Sequence, residues 1–381
     1  MLASVGAAAV PLGLLEGCQA SQPAAAPATG GAPPAQSQSG GVTPAQTQSG
    51  GATPVAQLGP TVTGGVRKIK YGDLKSLGDC GIYIAIEQGY FREQGLDVEI
   101  TSFDSAANMV APLGAGQLDA AGGAISAGLF NALARNISMK IVADKGHSEP
   151  TPPGYPVSIF LARKALVDGG QVKAAADLKG RKFGWVARGI STELDLQAFL
   201  QSGGLSVGDI DLTQMGFPEM VTAMVGGGID ACAPPEPFAT NMVGSGTASV
   251  IGYDYQVNPR NQVAAIFYSA DFAKNELGTP WMMAYLRGVR LYNDAFVKKN
   301  PEAREKVVAA AVKYTTVKDP GLYDRMQLQG LSPDGTLNVP SIMAQQEYFL
   351  ASGAQQTRVD LESFIDTHFA KDAVGQLGPY A

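Results

Sequence analysis

RKFGWVARGISTELDLQAFLQSGG, residues 181–204, is the stretch whose reading decides the fold. Phe183 and Trp185 alternate as a short buried strand does, and a tight loop follows. Leu194, Leu196, Phe199 and Leu200 then fall at helical spacing. Ser191 or Thr192 stands where an N-cap belongs, and Gly203-Gly204 closes the helix. A strand running straight into a helix leaves backbone N–H groups pointing into one crevice, the place where open α/β sheets bind ligands. Trp185 and Arg188 stand at its mouth, so the crevice can stack a flat molecule and hold a polar group. The stretch reads as one wall of a ligand cleft, with the opposite wall, a hinge and a tether supplied by the rest of the chain.

Strands alternate with single helices on both sides of it. Upstream, strand-like runs at residues 67–74, 96–100, 118–122 and 139–143 are separated by helical patterns at 81–94, from Ser105 or Asp104 to Gly116, and at 126–134. Around the opening stretch, further strands are expected at 183–187, 212–217, 229–233 and 249–253. Such alternation predicts an α/β protein with mainly parallel sheets covered on both faces. Residues 155–163 (YPVSIFLAR) and 261–269 (NQVAAIFYS) look alike and bracket the second block. The economical arrangement inserts a lobe of residues 160–264 into one made of 66–159 plus 265–381, with two crossing segments as hinge. Beyond Ser269 the pattern is helical, with Tyr285, Val289, Tyr292 and Phe296 on one face and Asn300-Pro301 opening the next helix. Further helices, expected at 320–329, 340–352 and 360–370, read as scaffold for the first lobe.

Among its 381 residues the chain carries a net charge of −6 and no cluster of more than two or three Lys or Arg, which speaks against nucleic acid as a partner. Residues 1–18, MLASVGAAAVPLGLLEGC, resemble the apolar region and lipobox of a bacterial lipoprotein signal peptide, in which Cys18 becomes the lipidated residue. Residues 19–65 hold no charged side chain, and PAQSQSGG from Pro34 recurs as PAQTQSGG from Pro44. A segment of this composition cannot bury enough surface to offset its chain entropy. It is expected to be a disordered tether with a reach of roughly 35–40 Å. Together these features predict an exported, lipid-anchored monomer at the outer face of the cytoplasmic membrane.

Chemistry is sparse. Only two histidines occur, His147 and His368, and no CxxC, HExxH, GxSxG or phosphate-loop pattern is present, so neither a metal, a cofactor nor a nucleophile–base pair is expected. Cys80 and Cys232 read as two free thiols or as one disulfide, the latter locking the lobes together. Candidate ligand-binding residues come from the strand ends. The first lobe offers Asp79, Tyr83, Phe103, Asp104, Ser105 and Ser126; the second offers Trp185, Arg188, Ser191, Thr192, Phe217 and, between prolines, Glu236. Any one of the aromatics is about as readily a core residue as a cleft residue, and Asp104 and Ser105 serve as helix caps in either case.

Residues 81–100 (GIYIAIEQGYFREQGLDVEI), 114–126 (GAGQLDAAGGAIS), 178–186 (LKGRKFGWV) and 226–240 (GGGIDACAPPEPFAT) resemble the substrate-binding proteins of ABC importers, in particular the family that binds sulfonates, nitrate and thiamine-pyrimidine or other vitamin-related compounds. The resemblance covers roughly residues 66–300. It implies a two-lobed periplasmic-binding-protein-like fold of type II that closes on a small ligand and presents it to a permease with its ATPase. It also implies that helix N-termini at Ser105, Ser126, Ser191 and Thr192 face that ligand, and it matches Glu236-Pro237 to the family's Glu-Pro, with Pro235 where an aromatic often stands. Aromatic faces with Asp79 and Glu236 as acceptors suit a flat, nitrogen-rich ring, so a pyrimidine or flavin-type compound is the first expectation. A sulfonate held by Arg188 and the helix ends is the second. An enzyme of pyrimidine-precursor synthesis on the same fold would instead require His or Lys in the cleft.

Overall fold

The computed structural model describes residues 65–151 and 154–381. The expected signal segment with Cys18, and the tether as far as residue 64, lie outside the described residues. Ten strands are present: β1 (Arg67–Asp73), β2 (Leu96–Ser102), β3 (Ala120–Ala124), β4 (Met139–His147), β5 (Ile159–Arg163), β6 (Lys182–Trp185), β7 (Asp211–Gln214), β8 (Ala231–Cys232), β9 (Ala248–Tyr253) and β10 (Gln262–Ser269). Among and after them run the helices α1 (Cys80–Glu87), α2 (Tyr90–Glu93), α3 (Ala106–Gly114), α4 (Ala127–Ala134), α5 (Lys164–Asp168), α6 (Glu193–Ser202), α7 (Phe217–Gly226), α8 (Phe238–Gly244), α9 (Gly278–Phe296), α10 (Pro301–Tyr314), α11 (Val339–Ala351) and α12 (His368–Leu377).

Two five-stranded sheets share one plan. Their orders are β2-β1-β3-β10-β4 and β7-β6-β8-β5-β9. In each, the fourth strand in the order runs antiparallel to its neighbours and the other four are parallel to one another. The antiparallel strands, β10 and β5, are the ones received from the other sheet across residues 254–261 and 148–158. The two look-alike segments of the sequence are therefore these equivalent strands, and the crossings lie just before them. This is the two-lobed α/β architecture expected from the sequence.

The first sheet is packed between two helical layers. Tyr71, Ile82, Trp281, Tyr285 and Val289 belong to one core, and Leu129, Phe130, Ile141, Ile342 and Phe349 to the other. The second sheet has its own pair of cores, one built on Phe160, Phe183, Trp185, Leu196 and Phe199, the other on Leu161, Met220, Met224 and Met242. Several local expectations shift. Residues 81–94 break into α1 and α2 because Gly89 takes a left-handed φ of 74°. Residues 320–329 form only a short 3-10 turn at Pro320–Asp324, and the last helix starts at His368 rather than residue 360. Cys80 and Cys232 are both buried and free, one in each lobe.

Candidate functional site

In both sheets the parallel strands point their C-terminal ends the same way as the helix N-termini that follow, which defines a crevice at those ends. On the first lobe, β1 ends in Asp73, and the loop after it folds back so that Asp79 is enclosed. Asp79 accepts from Tyr71 Oη at 3.0 Å and Ser76 Oγ at 2.8 Å, and Lys145 Nζ lies 3.1 Å from its Oδ1. Lys145 itself is 2% exposed. Its stem runs over Gly122, where a Cβ would sit 2.3 Å from Lys145 Cε and 2.2 Å from Tyr71 Oη, so only glycine lets the lysine cross the sheet. Tyr83 is fully buried, donates to Asp73 Oδ2 at 2.5 Å and stacks on Tyr314 with centroids 4.9 Å apart. Burial, then the charges of Asp79 and Asp73, push its hydroxyl far above the usual tyrosine range. Asp79 and Tyr83 are thus joined to each other's surroundings inside the lobe rather than presented at the crevice.

Phe103, Asp104 and Ser105 form the loop into α3, with Asp104 exposed and the other two half-buried. Ser105 is extended at the N-cap but its side chain makes no capping bond, which leaves the first N–H groups of α3 open. Ser126 caps α4 by accepting from Leu129 N at 3.1 Å. Ala106, Ala124, Ser126 and Phe267 line a narrow gap between these two helix starts.

On the second lobe Trp185 is 1% exposed and lies in the core beside Phe183 and Leu196, because residues 183 and 185 share the face that α6 covers. The stacking wall expected at Trp185 is therefore a core wall. The end of α6 is also occupied. Glu193, in its first turn, accepts from Gly189 N at 2.6 Å and pairs with Arg188 at 2.9 Å. Thr192 occupies the N-cap position without a capping bond, and Ser191, 1% exposed, donates to Val263 O at 2.9 Å. Glu193 and Asp195, the first and third residues of the helix, were visible in the sequence and place negative charge at its positive end. Phe217 begins α7 half-buried and packs on Phe238 at 5.6 Å.

The lobes touch on both flanks of the crevice. On one side Ala127 N donates to Gly189 O at 2.8 Å and Ser191 N to Ile125 O at 3.1 Å. On the other, Glu236 Oε1 accepts from Gln327 N at 2.8 Å and from Thr240 Oγ1 at 2.8 Å. Burial raises the Glu236 carboxyl above its ordinary value against those N–H contacts. Glu236 is thus a clasp between lobes. Lys145 and the segment 325–327 escaped the sequence reading; the Asp144-Lys145 pair after the apolar run Ile141–Ala143 of β4 was the available signal for the first.

A second charged cluster ties the hinge. Asp195 Oδ1 accepts from Asn258 Nδ2 and Asn261 Nδ2, both at 2.8 Å, while its Oδ2 is buried without a partner among the described residues. Asp254 Oδ2 accepts from the N–H groups of Val157 and Ser158, both at 2.9 Å. Both side chains are fully buried and neither meets a Lys or Arg among the described residues. Burial, then the facing Asp254, pushes Asp195 well up; burial against the surrounding N–H groups raises Asp254 to about 7. Each acid is therefore held neutral more readily than a free carboxylate.

Two sheets of this order, joined by two crossings and clasped across their strand ends, define a two-lobed periplasmic-binding-protein fold. The sequence matches the NMT1/THI5 like family over residues 78–316, more than half of the chain, and the protein belongs to that family. A protein of Brucella abortus (strain 2308) named as a binding protein is 28% identical over 264 residues, covering 67% of this chain and 76% of its own. The alkanesulfonate-binding protein of Xanthomonas axonopodis pv. citri, bound to MOPS, superposes with a TM-score of 0.61 at 17% identity, over 80% of this chain and all of its own (100%). For the nitrate-binding protein of Synechocystis PCC 6803 the values are 0.66 and 15%, over 82% and 89%. A desulfurization enzyme in complex with biphenyl-2-sulfinic acid has the fold too, with 0.57 and 14% over 81% and 99%. No helix among the described residues is long and apolar enough to cross a membrane.

Proposed function

We propose that this protein is the extracytoplasmic solute-binding component of an ABC importer and that its cleft captures a small organic anion of the sulfonate class. The observation that carries the ligand class is the open N-terminus of α3, with Ser105 uncommitted and the capped start of α4 beside it. Backbone N–H groups at a helix start favour an oxyanion, and the half-buried Phe103 and Phe217 suit an apolar substituent. The heteroaromatic reading loses its main supports in this geometry. Trp185 and Tyr83 have no free face, and Asp79 and Glu236 spend their oxygens on Lys145, Tyr71, Thr240 and Gln327. Arg188, paired with Glu193, is likewise not a free anion donor. The sulfonate-, nitrate- and sulfinate-related neighbours favour the same order.

Transport rather than catalysis is supported by the binding proteins among those neighbours and by the engagement of the one buried lysine with Asp79. The lipid anchor at Cys18 and delivery to a permease belong to the same proposal. Calorimetric titration with ethanesulfonate, octanesulfonate, a thiamine pyrimidine and riboflavin tests it. Saturable binding of a sulfonate alone is the expected result, and binding of a pyrimidine or flavin with none of either sulfonate refutes the ligand class.

A further inference from the structure

A cavity of about 660 Å³ lies outside the crevice, on the hinge side of the first lobe. Its walls come from three pieces of chain. His147, Glu149 and Tyr155 belong to the first crossing or its approach, Arg260 and Gln262 to the second, and Tyr292 of α9 with the loop from Gln329 to Asn338 supplies the fixed side. That loop is held to β4 and β10: Gly330 pairs with His147, and Asn338 N donates to Gln262 Oε1 at 2.8 Å. The cavity is therefore bounded by one rigid wall and by the two segments that must bend when the lobes move.

Its chemistry is that of a binding site rather than of a packing fault. Leu331 and Leu337, both buried, give an apolar base, with Tyr292 beside them. Around the mouth stand polar groups with unused capacity: the Arg260 side chain makes no hydrogen bond among the described residues, and the His147 ring bonds only through Nδ1, to Asp144 Oδ1 at 3.1 Å. The Arg260 guanidinium comes no nearer than 4.0 Å to Glu149, and His147 Nε2 no nearer than 3.9 Å to the same oxygen. Arg260 also holds a left-handed φ of 60°, unusual for a residue with a Cβ, which fixes where its side chain departs. Glu149 spends Oε1 on Thr151. Burial alone would lower the His147 basicity, but Asp144 and Glu149 outweigh it and hold the ring more basic than usual. The lining thus offers the Arg260 cation and the His147 ring beside the Glu149 carboxylate, with Asp144 behind the ring. An apolar pocket with a few convergent polar groups is the usual form of a small-molecule site.

We infer that this cavity is a second ligand site, distinct from the interlobe cleft, for a small aromatic or aliphatic carboxylate whose head meets Arg260 and whose body lies against Tyr292 and Leu331. Because two of its walls are the hinge crossings, its occupancy is linked to lobe closure, and any effect on cleft affinity is reciprocal. The inference does not depend on what the cleft binds.

Fluorine NMR titration with 4-fluorobenzoate tests it on the wild type and three variants. Thr336→Phe fills the cavity from its rigid wall, Arg260→Gln removes the head-group donor at an exposed position, and Phe217→Ala alters only the cleft. The expected result is one fewer bound probe in Thr336→Phe than in the wild type, about tenfold weaker binding at that site in Arg260→Gln, and its retention in Phe217→Ala. Equal stoichiometry in Thr336→Phe and wild type, loss of the site in Phe217→Ala, or no binding at millimolar probe overturns the assignment. Amide exchange at residues 148–158 and 254–261 should slow with probe in the wild type and not in Thr336→Phe. Binding that leaves that exchange unchanged refutes the coupling.

Discussion

Replacing Asp195 by Asn should make this protein more stable at alkaline pH, although it alters a fully buried side chain. Asp195 faces Asp254 at the hinge, and the pair carries two acids with no cation among the described residues. In the native state Asp254 titrates near 7 instead of 3.8. The folded protein therefore holds a proton that the unfolded chain has already released, so the contribution to stability is fully present below about pH 4 and is lost as pH rises through about 7. At ~1.4 kcal/mol for each tenfold change in proton affinity, the full loss is at most about 4 kcal/mol. In Asp195→Asn, Oδ1 keeps both amide contacts and Nδ2 replaces the unpartnered oxygen. The facing charge disappears, and with it much of the reason for the raised Asp254 value. Urea unfolding at about pH 5 and about pH 8 measures the difference, and comparing variant with wild type cancels the titration of His147, which runs in the same direction. The variant should lose less than half as much stability as wild type across that interval and be the more stable of the two at pH 8. A variant less stable than wild type at pH 8, with the same dependence on pH, would refute the role of the facing acids.

Lys145→Met should cost about 3–5 kcal/mol, because Asp79 is left as a buried charge without its counterion, and Asp79→Asn in the same chain should restore part of it in thermal or urea unfolding. Gly122→Ala should destabilise by about 1–3 kcal/mol through the clash with Tyr71 and Lys145, and its cost should be smaller when measured in a Lys145→Ala background. Trp185→Ala, which the sequence reading would have expected to cost binding more than stability, should lose about 3–5 kcal/mol of stability while the folded fraction binds ligand normally. Glu236→Gln should leave melting nearly unchanged yet enlarge the radius of gyration measured by X-ray scattering, because one acceptor of the clasp to Gln327 is replaced by a donor.

The fold was legible because it depends on patterns that repeat. Strand–helix alternation located the sheets, and the likeness of residues 155–163 to 261–269 corresponds to the equivalent antiparallel strands β5 and β10. The site was less legible for a specific reason. A residue at the end of a strand looks the same in sequence whether its side chain turns toward the crevice or toward the helix above it. Trp185 shares a face with Phe183 and follows it into the core; Tyr83 turns inward to Asp73. Arg188 and Glu193 neutralise each other across a loop whose conformation no spacing rule gives. Asp195 lies more than sixty residues from Asn258 and Asn261 and meets them only because the second crossing returns to α6.

The exchange of β5 and β10 between the sheets has a consequence for how the chain comes to be folded. Between β3 and β4 lies a strand made from residues 262–269, so when residues 67–147 have left the ribosome their sheet still has a gap between β3 and its edge strand β4. The inserted lobe, by contrast, has all its strands once residue 253 is synthesised. Assembly is therefore expected to run from the middle of the chain outward, with the amino-terminal lobe waiting in an open, aggregation-prone form. The first sheet cannot close until residue 262 is available, so the two lobes are separated in time by the order of the chain itself.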